Sequence, residues 1–296
     1  MDLSALLAPR DMARAVAELG AEPRRCVVCA GDAFERLFER SGKWFWRCRA
    51  CALVFVHDIY PEFAEDTAHL ESTYEFGALA RADGRKAHKI AAALRALEPH
   101  RRTGRLLEVG CGQGLFLEHA ARAGWRAEGV DVLVPVVEMA RARGLTVFAG
   151  ELSDAGLPRD SFDVVTMSEV IEHIVEPVEL LREVERVLRP GGVAVLGTGN
   201  AASWAARLRG RSWPYYRFGG HLHIRFYSPA SARALGKAAG FASVECRTSG
   251  FAFREAEELR GRWWKPLCKL AQAPISPLAP AFGAGHRLVM TLHKAP

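Results

Sequence analysis

The nine residues LLEVGCGQG at positions 106–114 restrict the possible fold of this chain more than any other stretch. The apolar run 106–109 reads as a buried strand. It ends on Gly110, Gly112 and Gly114, and an apolar helical pattern starts at once. Glycine is needed where a chain turns sharply and where backbone must touch a ligand. The N-terminus of the following helix then offers open N–H groups and the positive end of a dipole. Position 115 is leucine, so the spacing is GxGxG rather than the GxGxxG of the dinucleotide fingerprint. Asp131 closes the next expected strand, 21 residues after Gly110. A carboxylate there can accept both hydroxyls of a ribose.

The rest of the chain alternates in the same way. Strands are expected at 106–109, 127–131, 146–149, 162–167, 193–197, 244–247 and 287–293, with helices at 115–123, 135–143 and 178–187. The alternation predicts an α/β, Rossmann-like fold: a mostly parallel seven-stranded sheet with helices on both faces. Ser228 followed by Pro229 marks a helix start. Residues 1–60 should hold an N-terminal helix and a small cysteine module, 61–104 a helical linker or cap, and 105–296 the main domain. Insertions fall at about 201–220 and 251–282.

The chain is 49% apolar and 25% charged, which is ordinary for a globular protein. No apolar run reaches the roughly 18–20 residues of a membrane span. The first residues lack the basic start of a signal peptide, so a cytoplasmic location is expected. The net charge of +6 suits an anionic partner such as RNA or a phosphorylated or nucleotide-linked substrate. The basic residues are scattered, which equally suits a solvated surface. The sequence leaves the oligomeric state open.

Four of the seven cysteines are organised as C-x2-C-x18-C-x2-C: Cys26, Cys29, Cys48 and Cys51. Two CxxC knuckles can complete a tetrahedral thiolate cage, and this spacing lies in the zinc-ribbon range. Four protein ligands leave no open position, so such a zinc would be structural. The alternative is four free buried cysteines. This is not a disulfide framework, and it fits a reducing compartment.

The segments LLEVGCGQG, GVD, FDVVTMSEVIEH and LRPGGVAVLGTGN run in order from position 106 to 200. In them the chain resembles the class I S-adenosylmethionine (SAM)-dependent methyltransferases. The resemblance implies that Glu108 meets the methionine amino group through backbone or water. It implies that Gly110, Cys111, Gly112 and Gly114 line the methionine and ribose, and that Asp131, with Val132, holds the ribose. Glu151 and Leu152 would flank the adenine, and Ser168 would lie near the sulfonium. The text CALVFVHDIYPEFAEDTAHLESTYEF after the cysteines resembles zinc-ribbon methyltransferases of polysaccharide and natural-product assembly. There Tyr74 would close over the cofactor, or merely pack. Zinc-containing sugar C-methyltransferases carry a further C-terminal domain for which this chain is too short, which points away from C-methylation.

Methyl transfer is an in-line displacement, so the protein mainly aligns the acceptor and excludes water. An oxygen acceptor also loses a proton, for which a base or metal is useful. SEVIEH supplies Glu169, Glu172 and His173, which share a face if the segment is helical. GGHLHIRFYSP adds His221 and His223. E-x-x-E-H with a distant histidine resembles the metal site of small-RNA 2′-O-methyltransferases and ubiquinone-pathway O-methyltransferases. That implies Mg²⁺ or another divalent ion on Glu169, Glu172, His173 and His223; the alternative is His173 or His223 as a simple base.

In the first insertion, Trp204, Trp213, Tyr215, Tyr216 and Arg217, with His221, would grip a planar or phosphorylated acceptor, or pack as a lid. Trp44, Phe45 and Trp46 would stack bases or supply the ribbon's core. The expected function is SAM-dependent methylation of a small molecule, as O-methylation of a sugar, nucleotide-linked sugar or secondary metabolite. RNA methylation and a non-catalytic SAM-binding scaffold are the alternatives.

Overall fold

The computed structural model describes residues 22–40, 42–57, 84–216, 223–250 and 278–296. The N-terminal helix, most of the linker, Tyr74, Arg217, His221 and most of the second insertion lie outside the described residues.

The cysteine module forms three short antiparallel strands, β1 (Phe34–Arg40), β2 (Lys43–Cys48) and β3 (Val54–Val56). Helix α1 (Gly84–Leu97) leads into the main domain. There β4 (Arg105–Val109), α2 (Leu115–Arg122), β5 (Arg126–Asp131), α3 (Val134–Arg141), β6 (Thr146–Ala149), β7 (Phe162–Ser168), α4 (Pro177–Val187) and β8 (Leu188–Gly199) follow in turn. After α5 (Trp204–Arg209) come β9 (Arg225–Phe226), α6 (Pro229–Ala238), β10 (Ser243–Ser249), α7 (Leu278–Ala281) and β11 (Arg287–His293).

The main sheet has seven strands in the order β10-β11-β8-β7-β4-β5-β6. The five strands from β8 to β6 pair in parallel, and β11 runs antiparallel between β8 and β10. This is the Rossmann-like α/β fold that the alternation implies. The central strands read as near-continuous apolar runs because both faces are covered. Helices α2 and α3 pack on β5 and β6, and α4 and α6 on β8 and β10. Ser228 caps α6 as expected, in a reciprocal box with Ser231. Among the described residues no helix is long and apolar enough to cross a membrane.

Two features depart from expectation. First, β9, which the sequence pattern does not predict, is the fourth strand of the cysteine module, in the order β1-β2-β3-β9. Val54 pairs with Phe226 and Phe55 with Arg225. Cys26, Cys48, Cys51, Leu53 and Phe55 therefore share one buried cluster with Val109, Met167, Ile171 and Tyr227 of the main domain. Each such large apolar side chain contributes about 1.5–3 kcal/mol by leaving water.

Second, the segment after β7 is not a helix. Glu169 sits in the left-handed region at φ 55°, and only Ile171–His173 make a 3-10 turn. Glu169, Glu172 and His173 therefore do not share a helical face.

Candidate active site

The glycine loop lies at the carboxyl ends of β4 and β5, where open α/β sheets bind ligands. Gly110 has φ 71°, and a Cβ there would fall 2.3 Å from Val170. Only glycine lets this backbone pass so close. Asp131 Oδ2 accepts the Gly112 N–H at 2.7 Å, and Oδ1 accepts the Leu133 N–H at 3.0 Å. The carboxylate is thus aimed back into the loop. Gly150 N–H donates to the Asp131 carbonyl at 2.9 Å, which places Glu151 and Leu152 beside the same strand end. Leu152 is buried, while Val132 and Ser168 are exposed at the ends of β5 and β7.

Glu108 carries a covered Oε2 with no hydrogen-bond partner. Burial, and then the Asp131 charge, push its carboxyl well above the ordinary range. An unsatisfied buried carboxyl oxygen is costly, and a cationic or donor group would satisfy it. These residues fit SAM: an ammonium for Glu108, ribose hydroxyls for Asp131, and open backbone between them. Cys111 is buried beside them, and burial pushes its thiol up.

The candidate acceptor side assembles where β7, β8, residues 213–216 and residues 223–226 meet. Tyr215 is its centre. Its hydroxyl contacts Glu169 Oε2 at 2.9 Å and also Glu172 Oε1, lies 3.0 Å from Thr198 Oγ1, and accepts the Gly199 N–H at 2.9 Å. A Cβ on Gly199 would fall 2.6 Å from the Tyr215 ring, so glycine lets the ring lie against the strand end. One phenol proton cannot serve two carboxylates, so one carboxyl must bring its own. Burial, and then the Glu169 charge, push Glu172 up to about 8.

Glu172, His173 and His223 each place a ligand atom within 4.8 Å of the others. The two imidazole rings lie 4.9 Å apart, and His223 Nδ1 is 3.1 Å from the Tyr215 carbonyl. Glu172 Oε2 is fully covered and unpartnered. This donor set fits a divalent ion. Glu169 is not among the three: Arg287 holds its Oε1 at 2.8 Å and Tyr215 its Oε2. Of the four ligands expected, three converge in this way, and Glu169 borders them through the Tyr215 hydroxyl that it shares with Glu172.

A family model described as a methyltransferase domain matches residues 81–246, more than half of the chain. The chain belongs to this methyltransferase family.

Relatives agree. The methyltransferase is 34% identical over 154 residues to the ubiquinone biosynthesis O-methyltransferase of Cereibacter sphaeroides, covering 48% of this chain and 61% of that one. It is 36% identical over 145 residues to a probable SAM-dependent methyltransferase of Mycolicibacterium smegmatis, covering 48% and 54%. It spans about three fifths or less of the length of these relatives. A Thermotoga maritima SAM-dependent methyltransferase, described as a possible histamine N-methyltransferase, superposes with TM-score 0.51 at 25% identity, over 70% of this chain and 91% of that one.

The methyltransferase also gathers Cys26, Cys29, Cys48 and Cys51, whose sulfurs all lie within 4.8 Å of one another. Cys26 and Cys51 are 3.7 Å apart, and Cys29 and Cys48 3.5 Å. A tetrahedron of metal–sulfur bonds of about 2.3 Å puts sulfurs about 3.8 Å apart, whereas a disulfide needs about 2 Å. The thiols therefore fit a tetrathiolate zinc. Both knuckles close alike: Ala30 N–H donates to the Cys26 carbonyl and Ala52 N–H to the Cys48 carbonyl, both at 2.9 Å. Ala30 and Ala52 take φ of 56° and 61°. The contact with Cys51, against burial, brings the Cys26 thiol down to about 5.

The aromatics divide by role. Trp213 and Tyr216 are buried with Phe45, Val56 and Phe226 between insertion and ribbon. Their rings pack within that apolar cluster. Trp204 stacks on Phe282. Among the described aromatics of the insertion, Tyr215 is the one whose hydroxyl meets the carboxylates. In the ribbon, Phe45 and Trp46 are buried; only Trp44 is exposed, beneath Arg36 at 4.3 Å. That arrangement supplies a core and leaves no run of open rings for bases.

Sequence reasoning passed over Asp163, a fully buried carboxylate at the opposite end of β7. It accepts the N–H groups of Arg102, Thr103 and Gly104 at 2.7–2.8 Å, and Arg189 Nε at 2.7 Å. A buried aspartate inside an apolar strand (FDVV) was the available signal.

Proposed function

We propose that this methyltransferase moves a methyl group from SAM to a hydroxyl of a small acceptor. The acceptor would sit between the glycine loop and the Glu172–His173–His223 cluster. The observation that carries this reading is the convergence of those three side chains within 4.8 Å, next to the strand end that bears Ser168. SAM supplies a methyl already activated on a sulfonium. The chain's own residues then have three tasks. Asp131 and the glycine loop hold the cofactor. Tyr215 fixes Glu169 and Glu172. His173 or His223 takes the acceptor proton as its O–H bond breaks; the O–CH₃ bond forms as the S–CH₃ bond breaks, and S-adenosylhomocysteine leaves as a neutral thioether.

In the alternative, a divalent ion on Glu172, His173 and His223 would orient the acceptor oxygen and lower its pKa, and the two histidines would then be ligands rather than bases. Two imidazoles and one carboxylate suit a transition ion better than Mg²⁺, which takes mainly oxygen ligands. Zinc on the four thiols would be structural, and the free-thiol chemistry suits a cytoplasmic setting. The relatives named for ubiquinone biosynthesis support O-methylation in general. Ring hydroxyls therefore join the hydroxyls of sugars, nucleotide-linked sugars and secondary metabolites as acceptors to test.

The experiment is transfer of labelled methyl from SAM into extract separated into RNA, protein and small-molecule pools, repeated after exhaustive chelation. Label in small molecules, lost in both His173→Ala and His223→Ala, is the expected result. Label confined to RNA overturns the acceptor class. Turnover that survives chelation removes the divalent ion and leaves a histidine base.

A further inference from the structure

His173 and His223 come from distant parts of the chain, yet their rings lie 4.9 Å apart. Two residues beyond His173 is Val175, and two residues beyond His223 is Arg225. The Arg225 guanidinium joins these points. Its Nη2 donates to the Val175 carbonyl at 3.3 Å. Its Nη1 donates to the carbonyls of Val56 at 2.8 Å and Ile224 at 3.2 Å. Val56 is the last residue of β3, so one side chain ties the ribbon, the turn bearing His173 and the strand following His223.

The surroundings make this link stiff. Arg225 is only 4% exposed, and its guanidinium lies 5.8 Å from the centre of the Phe55 ring. A buried cation is costly unless its donors are used, so its carbonyl partners hold it in place. Its planar fork of five donors can serve three carbonyls at once; a lysine ammonium on a flexible stem cannot reproduce that plane. Backbone bonds run alongside. Val56 N–H donates to the Ile224 carbonyl at 3.0 Å, and Ile224 N–H to the Glu172 carbonyl at 2.9 Å. By contrast, the side-chain bonds of Asp131 go to Gly112 and Leu133, in the main domain.

We propose that Arg225 is a positioning residue that sets the gap between His173 and His223, and that the cysteine ribbon orders the acceptor half of the site through it. This rests on reading the two histidines as the acceptor-side pair. The ribbon is then a wall of the site, required for acceptor alignment and dispensable for cofactor binding.

The test labels histidine Cε1 with ¹³C and assigns the two rings with His173→Gln and His223→Gln. Wild type is compared with Arg225→Lys and Arg225→Met. Both ring signals should shift in both variants. SAM affinity should stay within about twofold, and kcat should fall about 10–100-fold, the scale of an ångström's misplacement. Unmoved ring signals in folded protein, or lysine restoring wild-type signals and kcat, overturn the proposal.

If the variants do not fold, wild-type amide exchange decides. Stripping the thiol-bound metal should release Ile224 and Val56 together, while Gly112 keeps its protection. Protection retained at Ile224 overturns the proposal. Full turnover in both glutamine variants would instead sink the catalytic reading of the histidines. Ring shifts in the Arg225 variants would still support its positioning role.

Discussion

Asp131 reaches across from the end of β5 to accept the Gly112 N–H at 2.7 Å, so the residue suited to a ribose also shapes the glycine loop. Asp131→Ala should therefore cost more than one lost ligand contact. We expect SAM affinity to fall at least about 10-fold, from one or two charge-assisted hydrogen bonds of about 1.5–3 kcal/mol each. Global stability should change less than the binding energy does. Calorimetric titration with SAM, beside a urea melt, separates the two; unchanged affinity would remove Asp131 from the cofactor site.

Tyr215 bears on the charge state of Glu172. Burial and Glu169 raise the Glu172 carboxyl to about 8, while the Tyr215 hydroxyl opposes them. If Glu172 works ionised, turnover should rise with pH through that range. Tyr215→Phe removes the opposing hydrogen bond, so the midpoint should move to higher pH and kcat near neutrality should drop. A kcat–pH profile of the two proteins is the measurement; an unmoved midpoint would rule out Glu172 as the titrating group.

Asp163 makes stability acid-sensitive. Burial alone would raise its carboxyl, but the N–H groups of Arg102 and Gly104, the Arg189 guanidinium and the Thr103 hydroxyl outweigh it and hold it below the ordinary range. A lowered folded-state pKa contributes stability that is present above the unfolded value of about 3.9 and is lost as pH falls through the folded value. Asp163→Asn should thus be destabilised by about 1–3 kcal/mol at neutral pH. The gap to wild type should close below about pH 4. Urea midpoints across pH 3–7 would show whether it does.

The two knuckles predict a stabilising change. A left-handed alanine carries a cost of roughly 1–2 kcal/mol, and glycine would remove it while adding about 0.4–1 kcal/mol of unfolded-state entropy. Ala30→Gly and Ala52→Gly should each leave stability equal or raise it by up to about 1 kcal/mol. A fall in thermal midpoint for either would show that the methyl packs usefully.

What could be read from the sequence was whatever is encoded locally. The strand–glycine–helix run, Asp131, the paired CxxC and the Ser228 cap depend on neighbours a few residues away, and each occurs where its pattern places it. The misses depend on distant partners. A two-residue strand has no periodicity to detect, so β9 joining the ribbon was invisible. Glu169 reads as the first turn of a helix until the β8 carbonyl of Gly197 takes its N–H at 2.8 Å. Trp213, Tyr215 and Tyr216 look alike in sequence; only the fold turns two inward to the ribbon and leaves the third among the carboxylates.

The pairing of Val56 with the Arg225 segment also sets a schedule. The two residues are 169 positions apart. At a synthesis rate of about 5–20 residues per second, the open edge of β3 waits on the order of ten seconds for its partner to leave the ribosome. Through that interval the ribbon presents one open strand edge, Val-Phe-Val, beside hydrophobic faces that only the finished chain covers. Early metal capture would help to keep this nascent edge from pairing with another chain.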